Sequence, residues 1–410
     1  MHFLENLKEN AMQGKKTNTR LFPSQTFHYQ ALRTLGHSAA FGANPGECLA
    51  AIGSIRNADP KSWYESWYAS AQKCSRMAAA SSDIIGRGKA LLRASNYFRT
   101  SEFFLHPTDS RRLSVYRESA NAFTRALQIL SIPHKIWKIP YERASMRAYY
   151  FPGDTGKPLI LACGGYDSTL EELFFWIADA ARERGYPCIM FEGPGQSNMI
   201  REYGMKFTHE WEKPLSALLD FMQWETPELS GIPKTLLGIS MGAMLALRAA
   251  AIEKRIDAAA GLGGFFSMKD AALALMPAMG RYLYRLGFTE MFNRLALARA
   301  SRDIGMRWAL DNGCWTIGAD TPYELLGKTG EYSLETVADK ITCDVLIMSG
   351  DRDHLIPSAE TRQFKHRIKN ARSFHEHTFL DADGAGEHCQ AGALEQFHKV
   401  FFEWAEGLPR

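Results

Sequence analysis

The 410-residue chain has no run of apolar residues long enough to span a bilayer, and its polar, basic first twenty residues hold no apolar stretch of the kind that forms an export signal. Both absences predict a cytoplasmic protein without a membrane partner. A charge surplus is missing too: 48 Lys and Arg stand against 45 Asp and Glu, interspersed, for a net charge of +3. Without a basic block or stripe, nucleic acid is not an expected partner. The seven cysteines (Cys48, Cys74, Cys163, Cys188, Cys314, Cys343, Cys389) are odd in number, widely spread and free of any Cys-x-x-Cys pair. They read as reduced, mostly buried thiols. No cluster of His, Cys and carboxylates has metal-ligand spacing, and the Gly-x-Gly-x-x-Gly and Walker spacings do not occur, so neither a metal nor a cofactor is implied.

What the chain has is 46% hydrophobic residues, enough for a large core and a second lobe. Residues 1 to about 45 show weak periodicity and read as a poorly specified arm. From Asp59 the pattern turns helical: Asp59 can cap, Pro60 suits a first turn, and Trp63, Trp67 and Ala71 recur at spacing four. Helical patterning continues over 83–104 and 114–130. After Ser131 and Pro133 the period changes, and 134–139 and 145–151 alternate as neighbouring strands. Strands at 158–162, 188–192, 235–239, 256–262, 344–348 and 373–380 then alternate with helices at 168–184, 209–225, after Ser240 and from about Cys389. Such alternation predicts an α/β fold with a mostly parallel sheet flanked by helices. Between Phe265 and Leu334 it lapses into a helical insertion rich in Met and aromatics. An apolar insertion after the sixth core strand would lie over the strand C-termini, where open α/β sheets place ligands. The expected division is an N-terminal helical lobe over 1–130 that contributes to a cap, a catalytic domain over 131–266 and 335–410, and a cap insertion over 267–334.

The chemistry centres on Gly238-Ile-Ser-Met-Gly242. A Gly-x-Ser-x-Gly pattern alone occurs often by chance, but here an apolar strand precedes it and a helix-forming run follows, as a nucleophile elbow requires. A serine hydroxyl is a weak nucleophile at neutral pH and needs a base, which in turn needs a carboxylate. In the chain order of the α/β-hydrolases, the acid comes next. Asp353, three residues after Gly350 and four before Pro357 in a strand-end turn, fits that position, with Asp351 its close rival. His388 follows the last strand in a small-residue loop and fits the base. His375 and His377 fall within the last strand, His354 beside the acid turn and His398 on a helix, which suits structural roles. Cys389 beside His388 has no elbow to present it. For the developing oxyanion, the Met241 N–H and the Tyr166 N–H are the expected donors. Gly164 and Gly165 leave room for that backbone to approach a ligand, and Ser168 and Glu171 stand at capping-box spacing.

The stretches Gly164-Gly-Tyr-Asp-Ser-Thr-Leu-Glu-Glu172, Phe191-Glu-Gly-Pro-Gly-Gln196, Gly238-Ile-Ser-Met-Gly242, Gly350-Asp-Arg-Asp353 and Gly386-Glu-His-Cys389 together resemble one branch of the α/β-hydrolases. That branch holds the FrsA-like esterases, 2,6-dihydropseudooxynicotine hydrolase and the polyketide-shortening hydrolases of fungal pigment pathways. The resemblance covers about 55–405, including Trp63, Trp67 and the run Arg93-Ala-Ser-Asn-Tyr-Phe-Arg-Thr-Ser-Glu-Phe-Phe104 of the helical lobe. This chain departs from the branch at Glu192, Ser197 and Ala243, where Asp, Gly and Gly are usual. The resemblance implies an α/β-hydrolase fold with a helical cap, a homodimer, and cleavage of an ester or of a carbon–carbon bond beside a ketone in a small apolar, aromatic or polyketide-like molecule. Tyr97, Arg99 and Glu102 in the helical lobe, Asp270 in the insertion and Gly165 at the strand end are candidate substrate contacts; solvation or structural pairing is the alternative for the four polar side chains. Two other functions remain open at this level: a non-hydrolytic binding or cyclisation protein on the same fold, and a small-lid serine peptidase.

Overall fold

The computed structural model describes residues 20–409. Eight strands form one sheet in the order β1-β2-β4-β3-β5-β6-β7-β8. They are β1 Lys135–Tyr141, β2 Ala144–Phe151, β3 Leu159–Cys163, β4 Cys188–Phe191, β5 Lys234–Ile239, β6 Ala258–Leu262, β7 Asp344–Gly350 and β8 Ser373–Phe379. β2 pairs antiparallel with β1 and β4, and the remaining neighbours are parallel. Strands β3 to β7 are almost wholly apolar because both their faces are covered. In a parallel run every strand ends at the same edge, so the loops after β3, β5, β6, β7 and β8 converge there. Register brings Cys163, Gly238 and Gly261 side by side near that edge.

Two apolar cores lie on the two sheet faces. One is built with the N-terminal helices Pro60–Ala80, Ile84–Glu102 and Arg111–Ile129 and the last helix, Leu394–Glu406. Trp63 and Trp67 are fully buried in it, and the Trp63 indole N–H donates to Thr100 O at 2.7 Å. Asp59 caps Pro60–Ala80 by accepting from Lys61 N at 3.1 Å. The insertion after β6 folds into helices Met268–Leu275, Ala278–Arg285, Thr289–Ala300, Ile304–Gly313 and Pro322–Lys328, with a small core around Leu283, Phe292, Ala296 and Leu326. A bridge between Ser267 and Ser333 holds its two ends together.

The sequence reading needs correction in two places. Residues 20–45 do not form a poorly specified arm: Gln25–Gly36 is a helix capped by Ser24, and Pro45–Gly53 is another, capped by Asn44. Residues 1–19 of that expected arm lie outside the described residues. The helix expected over 168–184 starts later, with a π-helical turn at Phe174–Ala178 leading into Asp179–Glu183. Ser168 does not cap it; its hydroxyl accepts from Gly165 N at 3.0 Å, and Glu171 is buried against Arg147.

Candidate active site

Ser240 sits where β5 turns into the helix Met241–Ile252, with φ 61° and ψ −126°. That left-handed region is sparsely populated by side-chain-bearing residues and costs about 1–3 kcal/mol unless its surroundings enforce it. The surroundings do: Ser240 N donates to Leu262 O at 2.8 Å, and Ala243 N returns to Ser240 O at 2.9 Å. Gly238 and Gly242 permit the turn, since a Cβ on Gly238 would run into Gly242 O, and one on Gly242 into Gly164 O. Ala243 replaces the family's glycine without conflict because Gly261 and Gly264 face its methyl group.

The loops after β7 and β8 meet at Gly350 and Gly386, where Arg352 N donates to Gly386 O at 3.0 Å. This brings the acid turn and the histidine loop together. His388 Nε2 lies 2.9 Å from Ser240 Oγ, and His388 Nδ1 lies 2.7 Å from Asp353 Oδ2. The other carboxylate oxygen of Asp353 accepts from Leu355 N and Ile356 N, each at 2.9 Å, which fixes its orientation. Asp351 is placed elsewhere: its Oδ1 accepts from Asp381 N at 2.8 Å and braces the turn before the histidine loop. His388 is 3% exposed. Burial alone would lower its pKa, but the Asp353 carboxylate overrides that and raises it well above the ordinary histidine value. A carboxylate on Nδ1 directs that proton toward Asp353 and leaves Nε2 to accept from the serine.

The loop after β3 lies against the elbow. A Cβ on Gly165 would come within 2.8 Å of Ile239 O and 2.9 Å of Met241 N, so glycine is required for this approach. The conspicuous Glu192-Gly-Pro-Gly-Gln196 stretch is bound up with the same loop. Gln196 Nε2 donates to Gly164 O at 2.6 Å, while its Oε1 accepts from Gly193 N at 3.2 Å. Glu192 accepts from Arg147 N and Asn198 N, and Ser197 Oγ accepts from Leu170 N at 2.6 Å. Two of the three departures, Glu192 and Ser197, thus carry hydrogen bonds of their own. Tyr166 is held from the insertion: its hydroxyl donates to Ala309 O at 2.9 Å, and its carbonyl accepts from Asn312 Nδ2 at 3.2 Å.

Ser240 and His388 open onto a cavity of about 250 Å³ whose lining includes Tyr166, Trp308 and Leu355. The helix Gln25–Gly36 supplies Tyr29, Gln30 and Arg33 to the same wall. Tyr29 OH donates to His388 O at 3.3 Å. Arg33 Nε and Nη2 clamp both oxygens of Glu172 at 2.7 and 2.5 Å, and Nη1 reaches Asp167 Oδ2 at 2.6 Å. These residues were missed in the sequence because the helix was read as an arm. The available signal was Ser24 at an N-cap with Tyr29 and Arg33 one helical turn apart. His354, which the sequence assigned a structural role, also lines the cavity and pairs with Glu387 at 3.0 Å through Nδ1.

The expected polar substrate contacts fall outside this lining. Tyr97 is fully buried in the helical lobe, its hydroxyl donating to Glu47 and accepting from Asn44 N, both at 2.9 Å. Arg99 pairs with Glu172 at 3.4 Å, and Glu102 pairs with Arg201 and Arg112, so these are structural ion pairs. Asp270 is exposed in the first turn of Met268–Leu275, its backbone N–H donating to the Ser267 cap. Cys389 Sγ donates to Leu262 O at 3.5 Å. Among the described residues no group of three or more His, Cys, Asp or Glu side chains is arranged to hold a metal ion, and no helix is long and apolar enough to cross a membrane.

The sequence and the fold resemble those of known proteins. A family model described as serine aminopeptidase S33 (Hydrolase_4) matches residues 157–378. The 20-hydroxy-prefusarin hydrolase FUS2 of Gibberella moniliformis is 32% identical over 408 residues, covering 94% of this chain and 97% of its own. The hydrolase acrC of Aspergillus aculeatus is 30% identical, with the same two coverages. Among solved structures, the 2,6-dihydroxy-pseudo-oxynicotine hydrolase superposes with a TM-score of 0.70 at 20% identity, over 91% of this chain and 95% of its own. With an eight-stranded sheet of this order, a serine elbow after β5 and relatives that span nearly its whole length, the chain belongs to the α/β-hydrolase family.

Proposed function

We propose that the protein is a serine hydrolase in which Ser240 is the nucleophile, His388 the general base and acid, and Asp353 the group that orients His388. The observation that carries this reading is the unbroken line of hydrogen bonds from Asp353 through His388 to Ser240 Oγ at the wall of the cavity. Ser240 Oγ bonds to a substrate carbonyl carbon while His388 Nε2 takes the hydroxyl proton. Negative charge gathers on the carbonyl oxygen, where the N–H groups of Met241 and Tyr166 are the proposed donors; the close approach of Gly165 to Met241 N supports that pairing. Collapse of this intermediate breaks the bond to the leaving group, which receives the proton from His388. Water then repeats the sequence on the acyl-enzyme and releases the acid.

The proposed substrate is a small apolar or aromatic ketone or ester, in keeping with the cavity's Tyr29, Trp176 and Trp308 and with the prefusarin-derived compound for which FUS2 is named. Where the leaving group is carbon, the substrate itself must stabilise the carbanion, as a β-diketone or a phenol-type ring does. The helical segments before residue 131 and over 267–334 are the proposed cap. The experiment is to incubate the protein with paired acyl esters and β-diketones and identify the products. Ser240→Ala is expected to reduce turnover by about 10⁶-fold while circular dichroism stays unchanged. Turnover that survives the substitution would refute the mechanism.

A further inference from the structure

The cavity beside Ser240 holds a polar side chain that the proposed reaction does not use. Gln30 lines this cavity and is only 4% exposed. Its Oε1 is buried without a hydrogen-bond partner, and its Nε2 donates to no other group among the described residues. Of the residues lining the cavity, Gln30 alone has a buried side-chain oxygen or nitrogen left unpaired among the described residues. Leaving a buried amide unpaired costs stability, and native proteins do so rarely.

The backbone that carries Gln30 is fixed on both sides. Thr26, Gln30 and Arg33 follow one another at spacings of four and three on the helix Gln25–Gly36, so they share the face that walls the cavity. One residue before Gln30, Tyr29 OH donates to His388 O; three residues after it, all three Arg33 nitrogens are taken up by Glu172 and Asp167. Thr34 Oγ1 donates to Gln30 O at 2.8 Å. The helix is thus tied to the catalytic domain while the Gln30 carboxamide stays unbound. We propose that Gln30 positions the substrate, its carboxamide N–H donating to a second oxygen close to the reacting carbonyl. Ketones and esters offer acceptors only, so the Nε2 end is the one such a molecule can use. The reacting carbonyl oxygen has its own proposed donors in Met241 and Tyr166, which leaves Gln30 to the other oxygen. A few placed polar groups in an apolar cavity fix orientation and specificity, and here the preference is for a β-dicarbonyl over a monocarbonyl compound. The inference rests on the proposed role of Ser240 only for which carbonyl reacts.

Binding tests this without chemistry. Ser240→Ala protein is titrated calorimetrically with 1-phenylbutane-1,3-dione and with 1-phenylbutan-1-one, which lacks the second oxygen. Adding Gln30→Met is expected to weaken the dione about tenfold and the monoketone less than about twofold, since one neutral hydrogen bond is lost from the first complex only. The melting temperature is expected to stay the same or rise, because the substitution removes an unpaired buried amide. Gln30→Glu keeps the shape and exchanges the donor for an acceptor, and the same selective loss of the dione is expected. A role confined to packing would weaken both ligands alike. Equal effects on the two ligands in both variants, an unchanged dione affinity, or no binding of the dione to the Ser240→Ala protein would overturn the inference. Failure of the nucleophile assignment registers separately, as turnover retained by Ser240→Ala.

Discussion

Arg33→Met would remove a cation from between two carboxylates while keeping an unbranched side chain in its place. Arg33 and Glu172 are 5% and 1% exposed, and Arg33 spans both oxygens of Glu172 and one of Asp167. Burial works to raise the Glu172 pKa, but Arg33 first and Arg99 next reverse it and hold Glu172 at about 2 instead of 4.5. At 1.36 kcal/mol per pKa unit, that displacement corresponds to about 3 kcal/mol of stability. Removing one member of a buried pair costs about 3–5 kcal/mol in general, so the two figures agree. Arg99, 3.4 Å from Glu172, remains as a partial substitute, which favours the lower end. His37 does not help at neutral pH, because burial holds it near 4 and it is uncharged. A carboxylate whose pKa is depressed by folding contributes stability above its unfolded pKa and loses it as pH falls through the folded value. The difference between wild type and variant should therefore be about 3 kcal/mol at pH 7 and shrink between pH 4.5 and 2. Urea unfolding followed by tryptophan fluorescence at pH 7, 4 and 3 measures it. A loss below 1 kcal/mol at pH 7, or a difference that does not change with pH, would refute the reasoning.

Other outcomes follow from the same geometry. Asp353→Asn should leave the fold intact and lower kcat by about 10⁴-fold, since an amide neither fixes the tautomer nor stabilises the imidazolium; steady-state kinetics with a thermal melt checks both. Because Asp353 outweighs burial and raises the His388 pKa, kcat/KM should rise with pH through an apparent pKa above 6.5. A pH–rate profile that is flat from pH 6 to 9 would contradict this. Gly165→Ala should lower kcat by about 10²–10³-fold and also lower the melting temperature, because the added methyl meets backbone at Ile239 O and Met241 N and pushes the loop away. Gln196→Leu should do the same more mildly, about tenfold, by releasing the Gly164 carbonyl; a change in KM alone would argue against a role in holding that loop.

Much of this site could be read from the chain because its parts are punctuated by residues with strong local preferences. The elbow stands between an apolar strand and a helix, and its glycines are required by contacts of backbone with backbone. The acid turn and the histidine loop end strands β7 and β8, and parallel pairing carries both to the edge where β5 delivers Ser240. Asp351 and Asp353 are harder to tell apart in the sequence, since only Arg352 separates them in one turn. The tertiary contacts distinguish them: the Asp353 carboxylate faces the ring and that of Asp351 faces Asp381 N.

By itself, then, the sequence determined the βα alternation, the sheet-edge loops and the residues at them, because period and turn chemistry act over a few neighbouring positions. Only the tertiary structure decided which helices wall the cavity. Tyr29 and Arg33 reach it from a helix more than 130 residues away from Asp167 and Glu172, and Trp308 reaches it from the insertion. Conversely, Arg99 and Glu102 looked available to a ligand but are consumed by buried ion pairs. Charge pairing and burial between distant segments leave no periodic signature, since a buried arginine is the same letter as a solvated one until its partner is in place.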